Sequence, residues 1–342
     1  MTIIQTALTL LFSTLLHWVA TPAMAAMTPT ERLSMMNHQL THQNMEGRFV
    51  HRVGNEMRSI RYLHANIDNV EHERITQLNG PMAEIIRKGD ELTCILPGKK
   101  AASLYKKDQP TPLHRRIAEV QSQLDQIYHI SETQGHRIAG LNAIQINAQP
   151  KDRHRLHYQF WLDPETSLLM KSQTLDDQGN VLESFEFTSL TLMANVSASD
   201  FSINPDVNPE HIMEHKLEGP TEALKIRWTI TWLPEGFQAA DNPVVNNRSA
   251  LETMAMKMYT DGLSSFSIFF EPVTAKATIP PTSQHGATLF TTRLFQLPNH
   301  PLPNQPLPNN QLPKKKAYTA TLVGDIPPET GYKIIESINV SQ

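Results

Sequence analysis

Cysteine is almost absent from this sequence, and charge is absent from its start: Cys94 is the only cysteine among 342 residues, and Glu31 is the first charged side chain. A single thiol excludes an internal disulfide, so stability has to come from apolar burial. Cys94 lies within the apolar run Leu92 to Leu96 and reads as a small buried residue rather than a nucleophile. Positive charge is slightly outnumbered, with 30 lysines and arginines against 34 aspartates and glutamates. A formal net charge of −4 argues against a nucleic-acid partner, whose phosphates demand a basic surface. After residue 25 no stretch approaches the roughly 20 apolar residues that a membrane-spanning helix needs.

The signatures of catalysis are missing too. There is no P-loop, dinucleotide fingerprint, H-E-x-x-H or G-x-S-x-G. His38 and His42 have the helical spacing of two metal ligands but lack a third. Glu73 and Glu84 could pair as acid and base, although nothing fixes their separation, and solvated strand residues explain them more simply. Asp152 and His154 fit no nucleophile elbow. The chain is therefore not expected to be an enzyme, and no cofactor or metal is expected.

What is present begins with residues 1–25. The apolar run Ala7 to Ala20 followed by Ala23-Met24-Ala25 predicts a signal peptide and export, although no basic residue precedes the run. Thr28-Pro29-Thr30-Glu31 then opens a helix with Leu33, Met36 and Leu40 on one side. Short strands follow over 47–53, 59–65, 71–78, 83–87 and 91–96. A second amphipathic helix runs from Thr111 to Ile127 on the stripe Leu113, Ile117, Val120, Leu124 and Ile127. Arg137 to Ile146 reads as one strand.

Tyr158 to Leu192 forms a three-stranded meander, with turns at Asp163-Pro164-Glu165-Thr166 and Asp177-Gln178-Gly179-Asn180. Apolar residues on both sides of its strands predict a sheet covered on both faces. Whether the surplus lines a ligand concavity or fills a core is open at this stage.

Polar, proline-spotted sequence over 197–220 predicts a linker between a domain at 26–196 and another at 221–342. In the second domain Trp228, Ile230 and Trp232 alternate, further strands follow, and a helix beginning at Pro327-Pro328-Glu329 carries Ile334, Ile335 and Ile338. Residues 296–315 are four five-residue repeats with Leu-Pro at the second and third places, QLPNH, PLPNQ, PLPNN and QLPKK. They read as an extended, solvated hairpin loop. The fold class expected is α+β: an antiparallel half-barrel sheet with covering helices, plus a smaller mixed domain with its own antiparallel sheet.

Several segments taken together resemble the MucB/RseB family of periplasmic negative regulators of the envelope-stress sigma factor. They are GRFVHRV at 47–53, HERITQLNGPMAEIIRKGDELTCILP at 72–97, the stretch from Gly135 to Leu190, WTITWLPEGF at 228–237, YTDGLSSFSIFFEP at 259–272 and TLVGDIPPETGYKIIESI at 321–338. The two meander turns also look like those of LolA/LolB-like lipoprotein carriers.

The resemblance implies a protein that binds the periplasmic segment of a single-span anti-sigma factor and shields it from the initiating protease. It implies relief by lipopolysaccharide or lipoprotein acyl chains, and it leaves a homo-oligomer open. A lipid or lipoprotein carrier without a signalling partner is the alternative. Tyr158, Phe160 and Phe185 are the candidates for an acyl cavity, and Trp228, Trp232 and Arg293 for a partner surface, with ordinary packing the competing reading for all six.

Overall fold

Helix α1, Pro29–His42, starts where the sequence expects it. Thr28 accepts from the Glu31 amide at 3.2 Å while the Glu31 carboxylate accepts from the Thr28 amide at 2.7 Å, a reciprocal cap that satisfies two otherwise orphaned donors. The Thr28 amide and, at 2.9 Å, the Thr28 hydroxyl both donate to the Glu31 carboxylate and hold it below the ordinary carboxylate value. In this computed structural model the described residues are 27–89, 91–96, 124–192, 196–206, 212–216, 227–240, 255–273, 282–297 and 316–341. The expected signal peptide, the helix over 111–123 and nearly all of the Leu-Pro repeat lie outside them.

The chain after α1 builds one large antiparallel sheet. Its strands are β1 Met45–Val53, β2 Glu56–Ile67, β3 Val70–Gln77, β4 Glu84–Lys88, β5 Glu91–Ile95, β6 Tyr128–Ile138, β7 Leu141–Pro150, β8 His157–Leu162, β9 Leu169–Leu175, β10 Val181–Leu192 and β11 Ile212–Lys216. They lie side by side in the order β11-β5-β4-β3-β2-β1-β10-β9-β8-β7-β6, an open half-barrel. A single turn of helix, α2 Leu124–Ile127, precedes β6.

The run from Arg137 to Ile146, expected as one strand, instead crosses a hairpin turn. Ala139 and Gly140 both take positive φ, 49° and 82°, which matches the twist of the flanking strands and joins β6 to β7. Alanine in that conformation is uncommon, so the turn leaves little trace in the sequence.

Within 197–220, expected as a linker, the structure has a 3-10 turn, Ala198–Phe201, and strand β11, which pairs with β5. Phe201 is fully buried against Leu63, Ala65, Ile86 and Ile95 on the outer face of the sheet. Arg74 ties that stretch down, donating to the carbonyls of Asp200 at 2.8 Å and Ser202 at 3.2 Å and to Glu84 at 2.8 Å. Burial alone would raise the Glu84 carboxyl, but the bonds from Arg74 and Thr76 outweigh it and hold it below the ordinary value. Both faces of the sheet are thus covered over part of its width, as the two-sided apolar pattern of its strands requires.

The carboxy-terminal part has its own core. It comprises strands β12 Arg227–Ile230, β13 Gln238–Ala239, β14 Ala255–Thr260, β15 Ser265–Pro272, β16 Ser283–His285, β17 Thr288–Leu297, β18 Lys316–Gly324 and β19 Ile338–Ser341 and helix α3, Pro328–Glu336. Six of them form a sheet in the order β13-β14-β15-β18-β17-β16, and β12 pairs with β19. Ile334 and Ile335 on α3 pack with Phe266, Ile268, Phe270 and Leu322. Ile338, expected to prolong the helical stripe, begins β19 and pairs with Ile230.

Candidate functional site

Register decides which side chains share the inner face of the half-barrel, because directly opposed residues of antiparallel strands point the same way. Phe185 opposes His51 and Ser172, Ser172 opposes Phe160, and Phe160 opposes Ile146. The neighbouring row has Ile60, Phe49 and Phe187. Tyr158 lies opposite Thr174 and Ala148 on the same face.

Helix α1 covers part of this face, burying Leu33, Met36 and Leu40 in one cluster with Tyr158, Phe160 and Phe187. Arg32 fastens the helix by an ion pair with Glu132 at 3.1 Å and a bond to the Pro164 carbonyl at 2.9 Å.

The inner face therefore has two parts. Under α1, Tyr158 and Phe160 are sealed, with parallel rings 6.2 Å apart. Across β1, β2 and β10 the rings of Phe49, Tyr62 and Phe185 are only half-buried, although they sit in mid-sheet. Phe49 is 4.6 Å from Phe185, 5.7 Å from Phe187 and 6.0 Å from Tyr62, all by ring centroids. Six aromatic rings on one face, three of them only half-buried, make an apolar surface that a ligand can reach.

Among the described residues the charges on this face form pairs, His64 with Glu71 at 3.5 Å among them. Arg87 donates to Glu73 at 3.1 Å, both buried, and His51 meets Glu183 at 2.8 Å. Glu73 and Glu84 do not work together, since Glu73 opposes Arg87 on the inner face while Glu84 opposes Thr76 on the outer one. His38 and His42 stack flat at 4.1 Å, and His42 bonds back to the His38 carbonyl. Among the described residues no group of three His, Cys, Asp or Glu is arranged to hold a metal ion.

Trp228, Trp232 and Arg293 lie apart from the inner-face trio and do not converge. Trp228 is in the carboxy-terminal core, 4.9 Å from Phe270, with the Lys257 ammonium 4.3 Å from its ring. Arg293 donates to the carbonyls of Ile335 at 3.2 Å and Glu336 at 2.7 Å, and so caps the last turn of α3. Trp232 stands where the two parts of the chain meet, between His154 at 5.1 Å and the Lys333 ammonium at 3.7 Å.

That seam holds residues that sequence reasoning missed. The side chains of Arg155 and Asp261 are 0% exposed and their ion pair is 2.6 Å long. Arg155 also donates to Asp152 and to the Glu235 carbonyl, and its guanidinium lies over Phe237 at 5.0 Å. Asp261 further accepts from the Tyr128 hydroxyl at 3.1 Å and from the amides of Leu263 at 3.0 Å and Ser264 at 2.8 Å. Burial pushes its carboxyl up, against the pull of Arg155 and the two amides. Burial also raises the Tyr128 phenol, with Asp261 adding to the effect.

The β16–β17 turn approaches so closely that a Cβ on Gly286, at φ +60°, would lie 2.5 Å from Val53. The one available signal for this seam was an Asp-Gly turn set in an otherwise apolar stretch.

His154 gives the seam a pH dependence. Burial lowers its pKa, Asp152 opposes that, and Lys333, Arg153 and Arg155 add to it. As pH falls below the ordinary value of 6.5 the unfolded chain takes up this proton first, so the stability contributed above 6.5 is lost on descending towards the depressed value. His154→Gln should flatten that acid-side loss when urea midpoints of the two proteins are compared from neutral to mildly acid pH.

Comparison with known proteins agrees with this geometry. The MucB/RseB N-terminal domain model matches residues 28–205 and the MucB/RseB C-terminal domain model matches residues 222–339. The Sigma-E factor regulatory protein RseB of Escherichia coli K12 is 28% identical over 325 residues, 93% of this chain and 91% of that protein. The Sigma factor AlgU regulatory protein MucB of Pseudomonas aeruginosa is 27% identical over 337 residues, 97% of this chain and 96% of that one. Among solved structures, the complex of Pseudomonas aeruginosa MucA and MucB includes a chain with the same fold, at TM-score 0.65 and 22% identity, covering 92% of this chain and 99% of that one. With both domain models matched in order along its length, the chain belongs to the MucB/RseB family.

Proposed function

We propose that this protein is a periplasmic negative regulator that binds the periplasmic segment of a single-span anti-sigma factor, shields it from the initiating protease, and is relieved by lipopolysaccharide or a lipoprotein acyl chain. The observation that carries the reading is that both family domains are present and that relatives named for sigma-factor regulation align over nearly the whole chain. A MucB has been solved in complex with the periplasmic part of MucA, which makes an equivalent segment the natural partner here.

The accessible rings of Phe49, Tyr62 and Phe185 supply a surface for the acyl chain, beside Tyr158 and Phe160, which α1 covers. Trp232, at the seam, is the residue of the three partner-side candidates best placed to report on both domains. Linkage supplies the logic: a lipid that binds the partner-free form better weakens partner binding by the same factor.

A pull-down from detergent-solubilised cell envelopes with the tagged chain, with and without added lipopolysaccharide, tests the reading. A membrane-anchored anti-sigma factor is expected without lipopolysaccharide and is expected to be lost on its addition. Acylated cargo recovered with no membrane partner would establish a carrier instead.

A further inference from the structure

We infer that the carboxy-terminal domain forms the end wall of the inner-face concavity, and that Leu263 and Ala287 gauge the length of the acyl chain bound there. The inference rests on the acyl-chain reading above.

The apolar cluster that fills the half-barrel does not stop at the domain boundary. Leu263, 6% exposed, and Ala287, 1% exposed, belong to the same cluster as Tyr158, Phe187 and the buried side of α1. Both come from turns that meet the sheet at one end. The Asp261 turn meets Tyr128 at the start of β6, and Gly286 presses on Val53 and the Leu182 carbonyl, at the β1–β2 turn and the start of β10. Along the strands in that direction the inner face runs from Phe49 and Phe185 past the His51–Glu183 pair to Val53, and beyond it the turns carrying Ala287 and Leu263 close that end.

The wall is stiff. Asp261 is held by Arg155, Tyr128 and the amides of Leu263 and Ser264, and the Gly286 turn has no room to move towards the sheet. An occupant too long for the space has to displace the carboxy-terminal domain, which gives ligand length a direct route to that domain.

Two features identify the occupant as an alkyl chain. Among the described residues the ionic groups on this face pair with one another, Arg87 with Glu73, His51 with Glu183, His64 with Glu71 and Arg58 with Glu56, which disfavours a charged ligand. The face of a sheet also offers no row of backbone donors and acceptors to an extended peptide, whose ladder needs an edge.

The test uses the full mature chain and a series of saturated fatty acids of increasing length that displace a fluorescent fatty acid. Affinity should rise about fourfold per methylene and then level off where the chain meets the wall. Leu263→Ala should move the plateau to chains about three methylenes longer, matching the three carbons removed, and Leu263→Phe should move it to shorter ones. Loss of folding cannot shift the plateau in both directions. If all three proteins level off at the same length, the end-wall inference is overturned while the ligand reading stands. If no fatty acid of any length displaces the probe from the wild type, the ligand reading fails and takes the inference with it.

Discussion

Replacing Asp261 with alanine will destabilise the folded protein by about 3–5 kcal/mol, the cost of leaving one member of a buried ion pair without its counter-charge. The Arg155 side chain is 0% exposed, so its guanidinium has no route to water when the carboxylate is gone. Asp152 and the Glu235 carbonyl still accept from it, which places the loss towards the lower end of that range. The same substitution strips the acceptor from the Leu263 and Ser264 amides and from the Tyr128 hydroxyl, so the turn that reaches the half-barrel loosens as well.

Urea denaturation followed by tryptophan fluorescence reads this directly. Trp161 reports on the large sheet and Trp228 on the carboxy-terminal core, and uncoupled domains should give two transitions in place of one. The double substitution Arg155→Met with Asp261→Leu should recover most of the lost stability, because two apolar groups leave no charge stranded. Equal midpoints for Asp261→Ala and the wild type would show that the ion pair does not hold the seam.

Phe185→Asp should weaken binding of a fluorescent fatty acid by about a hundredfold while leaving partner binding in place. The ring is half-buried between Phe49 at 4.6 Å and Phe187 at 5.0 Å, so a carboxylate there replaces apolar contact area with a charge that an alkyl chain cannot solvate. Loss of one aromatic contact together with desolvation of the charge comes to about 3 kcal/mol. Partial exposure limits the cost to folding, and an unchanged urea midpoint for the carboxy-terminal transition would confirm that the domain is intact. Titration of the probe against wild type and variant decides it, and equal affinities would remove the aromatic wall from the account of ligand binding.

Legibility in the sequence followed the range of the interactions. The Thr28–Glu31 cap, the meander from Tyr158 to Leu192 and the final helix are written in residues a few positions apart, and all three could be read. The Ala139-Gly140 turn was missed because its unusual backbone is carried by an alanine.

Strand β11 was hidden because a short polar stretch becomes a strand only when β5 is beside it. Phe185 could be named as a candidate, but Phe49 and Tyr62 could not be grouped with it, since the grouping depends on the register of β1 against β2 and β10. Arg155 and Asp261 are separated by 106 positions and carry no local pattern that links them, so the seam exists only in the folded chain.

The most direct test of the central claim is the rate at which the initiating protease cuts the anti-sigma factor's periplasmic segment in the presence of the purified chain. The proposal predicts cleavage slowed by about tenfold or more, within the usual range of coupling between sites, and restored when lipopolysaccharide is added. Cleavage at the same rate with and without the chain, under conditions where the protease and segment are both active, would contradict it.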